Sequence, residues 1–200
     1  MWDLQPTLIG EIVRLEPLGR QHRDSLLAAS RPPEIWEYWP MNPGAGDAPF
    51  DAWLERCLRE TVDGGDAHFA TVMQETGQAV GSTSFCTARP DARGIEIGWT
   101  WLTPTAWGTG ANTEAKFLQL RYAFETLGCI RVDFDTDVEN ARSRAALSAL
   151  PAKFEGVWRN FSIRKTDGSK RSSAFYSVID DEWPTVRENL IARIADARST

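Results

Sequence analysis

The run from Trp99 to Lys116, WTWLTPTAWGTGANTEAK, is where residue types and spacing come nearest to chemistry. Gly108 and Gly110 let the backbone turn tightly and approach a ligand with no Cβ in the way. A helix starting just beyond them presents unpaired N–H groups and the positive end of its dipole. That combination suits a phosphate or pyrophosphate, and it suits an ordinary strand-to-helix turn equally well. The run lacks the G-K-[ST] ending of a triphosphate loop and the full dinucleotide GxGxxG pattern. Cys57, Cys86 and Cys129 form no CxxC, and only His22 and His68 could join them. Neither a disulfide scaffold nor a metal site is expected. Cys86 and Cys129 have no visible His/acid constellation, so a covalent cysteine intermediate is not indicated.

Charge narrows the partners. The 200 residues carry 28 acidic and 22 basic side chains, a formal net charge of −6. That balance argues against nonspecific nucleic-acid binding. Residues 34–75 hold nine acidic and two basic residues, a net of −7. Residues 141–171 hold eight basic and two acidic residues, a net of +6. Two readings are open: uneven solvated surface, or an acidic substrate side facing a basic phosphate side. No apolar run approaches about 18 residues, so no membrane span is expected. No basic-then-apolar N-terminal leader is seen, and the expected location is the cytoplasm.

The elements that must position these residues alternate in type. Residues 8–16 read as a strand and 20–30 as a short helix stopped by Pro32 and Pro33. Phe50, Trp53, Leu54, Cys57 and Leu58 recur at helical spacing, predicting a helix from about 50 to 62. Strands at 68–74 and 79–86 flank the turn ETGQ. In IEIGWTWL, alternation puts Ile95, Ile97, Trp99 and Trp101 on one face and Glu96, Gly98 and Thr100 on the other. A helix over 113–127, a strand over 130–136 and a helix from Asn140 to Leu150 follow. Strands at 154–165 and 172–179 surround the turn TDGS, and a helix spans 181–197. The order predicts one domain over 1–200, with its core at about 8–180, in the α/β class: a mixed, mostly antiparallel central sheet flanked by helices.

With these motifs in order, the chain resembles the GCN5-related N-acetyltransferase superfamily, in its ribosomal-protein-alanine-acetyltransferase-like branch. The likeness covers roughly residues 8–180. The family signature Q/R-x-x-G-x-G/A is matched in part by Trp107, Gly108, Thr109, Gly110, Ala111 and Asn112. Trp107 and Asn112 depart from it. IEIGWTWL, the helix opening TEAK, DVENARSRAAL and AKFEGVWRNF agree in order and spacing. The resemblance implies the acyl-CoA N-acyltransferase fold and acetyl-CoA as co-substrate, with no metal. It implies pantetheine against the strand at Trp99, Thr100, Trp101 and Leu102, and pyrophosphate on the amides of residues 107–112. It also implies that Asn140 contacts the pantetheine arm, with Ser143 one turn on near the sulfur as a hydrogen-bonding or proton-donating group.

The implied reaction is direct attack by a primary amine, of a small molecule or a peptide N-terminus. It needs a proton acceptor. Glu96 is the first candidate and Asp135, five residues before Asn140, the second; His68 ranks third. Many relatives carry a tyrosine seven residues after the asparagine, whereas this chain has Leu147, which cannot act as an acid. Pro151 stands where a glycine is usual, so the loop there is expected to take another shape. Trp36, Tyr38 and Trp39, beside Glu34 and Glu37, are expected to line either the acceptor pocket or a homodimer contact. The alternative to an enzyme is a catalytically weak acyl-CoA-binding or dimeric regulatory protein.

Overall fold

The computed structural model describes residues 2–164 and 167–199. Its eight strands form one sheet in the order β1-β2-β3-β4-β5-β6-β8-β7. They are β1 (Leu8–Ile9), β2 (Val13–Pro17), β3 (Ala67–Met73), β4 (Ala79–Arg89), β5 (Gly94–Leu102), β6 (Arg131–Asp137), β7 (Lys153–Ile163) and β8 (Lys170–Ile179). Every neighbouring pair is antiparallel except β5 and β6. The expected mixed, mostly antiparallel sheet flanked by helices is what forms. The predicted first strand is two, because the chain reverses between Gly10 and Val13. The end of the strand predicted to 165 and the first residue of the TDGS turn, Thr166, lie outside the described residues. No helix among the described residues is long and apolar enough to cross a membrane.

Helices α1 (Arg23–Ala29) and α2 (Asp47–Val62) cover one face of the sheet. In α2 the apolar spacing buries Phe50, Trp53, Leu54 and Cys57 on one stripe. They pack with Trp36, Val72 and Trp101. The opposite face belongs to a second core holding α3 (Ala111–Arg121), α4 (Ala141–Ala149) and α5 (Trp183–Arg198) residues, among them Leu118, Leu147 and Leu190. Buried Glu114 of α3 accepts the amides of Glu11, Ile12 and Val13, tying the first reversal to the helix.

One expectation about the backbone fails. Alternation along β5 breaks at Trp99, which has a φ of 49°. The ladder to β4 shifts there: Ser84 opposes Gly98, but Ser82 opposes Trp101. This is a β-bulge, in which an extra residue re-aims everything after it. Ile95 and Ile97 therefore point into the α3 core while Trp101 points into the α2 core. Thr100 lies on the α3 side with Leu102, not with Glu96. After α4 the Ala152 amide reaches the Leu147 carbonyl across Pro151.

Candidate active site

β5 and β6 pair over three residues and then part. Gly94, Ile95 and Glu96 face Arg131, Val132 and Asp133, and from Ile97 onward β5 has no partner in β6. Beyond that point β6 follows β8 alone. Two parallel strands that separate leave a wedge with unpaired backbone groups, which a ligand able to hydrogen-bond as a strand does can satisfy. The bulge at Trp99 sits on the β5 wall of this wedge.

At the end of β5 the glycine turn opens onto α3. Gly108 and Gly110 both adopt positive φ, 77° and 83°. Among the described residues the amides of Gly108, Thr109, Gly110, Asn112 and Thr113 have no acceptor in the protein. Five free N–H groups around a helix start make an anion cradle. A Cβ on Gly108 would meet nothing within 4 Å, whereas one on Gly110 would meet Ile12 and Ala197 at 2.8 Å. Gly108 therefore leaves the mouth open, and Gly110 serves packing. The Trp107 indole donates to the Leu102 carbonyl at 2.9 Å, and the Arg142 guanidinium lies 4.0 Å above its ring. This contact links the loop to α4 across the rim. Asn140 caps α4, its Oδ1 accepting the Ser143 amide at 3.0 Å. Leu147, where many relatives carry the tyrosine, is buried in the core.

On the α2 side of the sheet, Glu96 is a carboxylate pushed upward. Burial pushes its pKa up to about 7, helped by the charges of Asp135, Asp133 and Asp66 and opposed by a hydrogen bond from Thr87. Asp135 is brought to the same region but is held by Arg171 at 3.2 Å. His68 is buried with both ring nitrogens engaged, Nδ1 with Ser84 at 2.7 Å and Nε2 with Glu60 at 3.0 Å. Burial also lowers its pKa. Its donor atoms, with those of Cys57 and Glu60, lie within 4.8 Å of one another. The His68–Glu60 hydrogen bond accounts for that approach, and burial pushes the Cys57 thiol up to about 12. Cys86 and Cys129 are also pushed up by burial, Cys129 to about 11.

The aromatic triplet is divided. Trp36 is 4% exposed and donates to the Ser30 carbonyl at 2.8 Å, so it is a core residue and not a free wall. Its ring lies 5.1 Å from Trp101 and 5.2 Å from Trp39. Half-buried Trp39 reaches Trp99 at 5.5 Å, and the Trp99 indole donates to Asp66 at 2.8 Å. Tyr38 is half-buried beside them in the chain.

The charge asymmetry counted along the chain is partly offset in space. Asp47, Asp51 and Glu55 pair with Arg31, Arg23 and Arg20. Arg164 pairs with Asp137 and Glu139, and Arg171 with Asp135. These pairs draw on three of the nine acidic residues of 34–75 and two of the eight basic residues of 141–171, so the asymmetry is lessened and not removed. Sequence reasoning also passed over buried Lys116, whose neighbours come from two strands it could not align.

A family profile described as an acetyltransferase (GNAT) domain matches residues 13–153. The chain is similar to the solved structure of a GCN5-related N-acetyltransferase from Brucella melitensis, at 31% identity and a TM-score of 0.89, covering 95% of this chain and 86% of that one. It is similar to a candidate acetyltransferase from T. thermophilus, at 37% identity and a TM-score of 0.86, covering 96% of this chain and 99% of that one. It is also 25% identical over 206 residues to the FsC-acetyl coenzyme A-N(2)-transacetylase of Aspergillus fumigatus, covering 94% of this chain and 83% of that protein.

Proposed function

This chain belongs to the GCN5-related N-acetyltransferase family and transfers an acetyl group from acetyl-CoA to an amine, and from that premise we propose that the acceptor is a primary amine attacking directly, with Glu96 as its base. The observation that carries the proposal is the half-buried, acid-crowded Glu96 where β5 and β6 part. A carboxylate with a pKa of about 7 is partly ionised at neutral pH and basic enough to take a proton from an ammonium group. The surrounding Asp66, Asp133 and Asp135 favour a cation there. Asp135 serves this field and keeps Arg171 in place; it is not the base.

Acetyl-CoA supplies the acyl group already activated as a thioester. The amides of residues 107–112 receive its pyrophosphate, and Trp99 to Leu102 line its pantetheine. Wedge amides of β5 donate to the oxyanion as the nitrogen attacks. Asn140 orients the arm through its free amide nitrogen while its oxygen caps α4. Ser143, half-buried in the first turn, stands on the thiol side in place of the missing tyrosine. Trp39, Tyr38 and Trp99 shape the acceptor pocket, with Trp36 supporting them from beneath. Protonated Cys57, Cys86 and Cys129 give no nucleophile for an acyl-enzyme. The WGTGAN, DVENARSRAAL and AKFEGVWRNF motifs support the ribosomal-protein-alanine-acetyltransferase-like branch, which leaves a peptide N-terminus and a small-molecule amine as acceptors.

The test is thiol release from acetyl-CoA over a panel of free amines and short peptides. E96Q should lower kcat by about 10²-fold and leave acetyl-CoA affinity unchanged. A wild-type rate in E96Q would remove Glu96 from the reaction.

A further inference from the structure

Lys116 is 7% exposed in the middle of α3 and faces the sheet. Lysine is almost never this buried unless a carboxylate accompanies it. Here the ammonium nitrogen meets none. Nζ donates to Thr100 Oγ1 at 2.6 Å and to Thr83 Oγ1 at 3.0 Å, with Gln119 Oε1 at 3.4 Å. Two strands are joined by this contact, because Thr83 is in β4 and Thr100 in β5.

The place on the ladder matters more than the burial. Register is lost between Ser82 and Ser84 in β4, where Trp99 is the extra residue of β5. Thr83 stands in that gap, and Thr100 is the first residue after the bulge. Lys116 thus grips both sides of the bulge in the β5 wall of the wedge. Nothing about hydrogen-bond satisfaction requires it. The two threonine hydroxyls already bond each other at 2.8 Å, and Thr83 bonds Gln119 at 3.0 Å. An apolar side chain of the same length would leave those bonds intact and avoid the cost of burying an amine.

We propose that Lys116 is a positioning residue: by clamping Thr83 and Thr100 it fixes the β5 bulge and so holds the wedge amides where the thioester oxygen must be met. The role rests on the reading of the wedge as the acyl site. Burial pushes the Lys116 pKa down to about 7, opposed by Cys86 and by no carboxylate, which fits a group held for its geometry and not for an ion pair. The clamp acts on orientation within the wedge and leaves the anion cradle at 108–113 to the loop itself.

The experiment compares wild type, K116M, T100V and the double variant in the full chain. Methionine keeps an unbranched apolar stem and removes the donors. K116M should lower kcat by about 30-fold while acetyl-CoA affinity and acceptor KM stay within about threefold. Amide NMR signals of residues 98–101 should move, and those of 108–113 should hold. T100V should reproduce the loss, and the double variant should be no worse than either single change, since both break one clamp. Should K116M fail to fold, T100V carries the same kcat and NMR readouts. A kcat per folded enzyme equal to wild type, a parallel fall in kcat and acetyl-CoA affinity, or additive losses would overturn the role. Wild type that binds acetyl-CoA yet acetylates no amine would overturn the acyl-site reading itself, and the clamp with it.

Discussion

The two sides of the wedge are made of different material. The cofactor side is backbone: five free amides from Gly108 to Thr113, shaped by two residues of positive φ and a helix start. The acceptor side is side chain: Glu96 among Asp66, Asp133 and Asp135, with Trp39 and Trp99 alongside. A backbone site tolerates substitution, because the donors survive any change that preserves the turn. A side-chain site is fragile, because one group performs one task. The difference predicts where single changes hurt.

The largest effect belongs to Glu96. Beyond the loss of about 10²-fold in kcat, E96Q should abolish the rise of kcat through pH 7 that ionisation of this carboxylate causes. The same group makes a stability prediction with a defined sign. Its pKa is raised in the folded state, so folding retains a proton that the unfolded chain loses above its ordinary carboxylate range. Stability falls as pH rises from about 4.5 to 7 and stays low above. E96Q removes that penalty and should be more stable than wild type at about pH 8 by up to about 3 kcal/mol. The advantage should vanish by about pH 4. Urea melts at the two pH values give the difference directly, and an equal offset at both would show that Glu96 is not buried as a strained acid.

On the backbone side the expected pattern is inverted. T109A and N112A should change acetyl-CoA affinity by less than about threefold, because the amides stay. N112D should weaken it by about 10-fold by setting a negative charge in the cradle. That same carboxylate at the start of α3 should raise thermal stability slightly, by about 0.5 kcal/mol, through the helix dipole. Calorimetry with a melting curve reads both signs. Loss of affinity in N112A as large as in N112D would mean that the side chain, and not the backbone, makes the site.

A smaller change separates the tryptophans. W39A should raise acceptor KM by about fivefold and leave acetyl-CoA affinity alone. W36A should instead cost about 3 kcal/mol of stability, as expected for a buried aromatic removed from a core. If the two variants behave alike, the division between wall and support is wrong.

Legibility in the sequence follows the same line. Strand and helix identities came through because each depends on local spacing, as in the Phe50, Trp53, Leu54, Cys57 stripe of α2. The glycine turn came through because φ preference is written in the residue itself. Asn140 was readable as a cap for the same reason. The bulge at Trp99 was not, since no local preference marks it and only the β4 partner reveals the shift. Everything downstream of that shift was misplaced, including Thr100 and Trp101. Lys116 was invisible as a consequence. Trp36 was misjudged because the proline-bounded run around it looks like surface until Trp101 arrives from the other strand. The ion pairs of Arg20, Arg23 and Arg31 cross elements too, so charge counted along the chain exaggerated a polarity that folding reduces.

Pro151 tests the backbone rule at the far end of α4. The turn after α4 is fixed by its surroundings: the Ala152 amide binds the Leu147 carbonyl, and Leu147, Leu150 and Ala152 are all buried in the core. A proline there also restricts the unfolded chain, because its ring fixes φ. P151G should therefore destabilise the fold by up to about 1 kcal/mol through a freer unfolded chain, seen as a lower urea midpoint with an unchanged slope. Acetyl-CoA affinity should not move, because neither the cradle amides nor the Asn140 cap depends on how α4 ends. Stabilisation by a similar amount would show that the proline strains the native turn more than it restrains the unfolded chain. A change in affinity would show instead that the end of α4 reaches the cofactor side, and that this side is not made by the glycine loop alone.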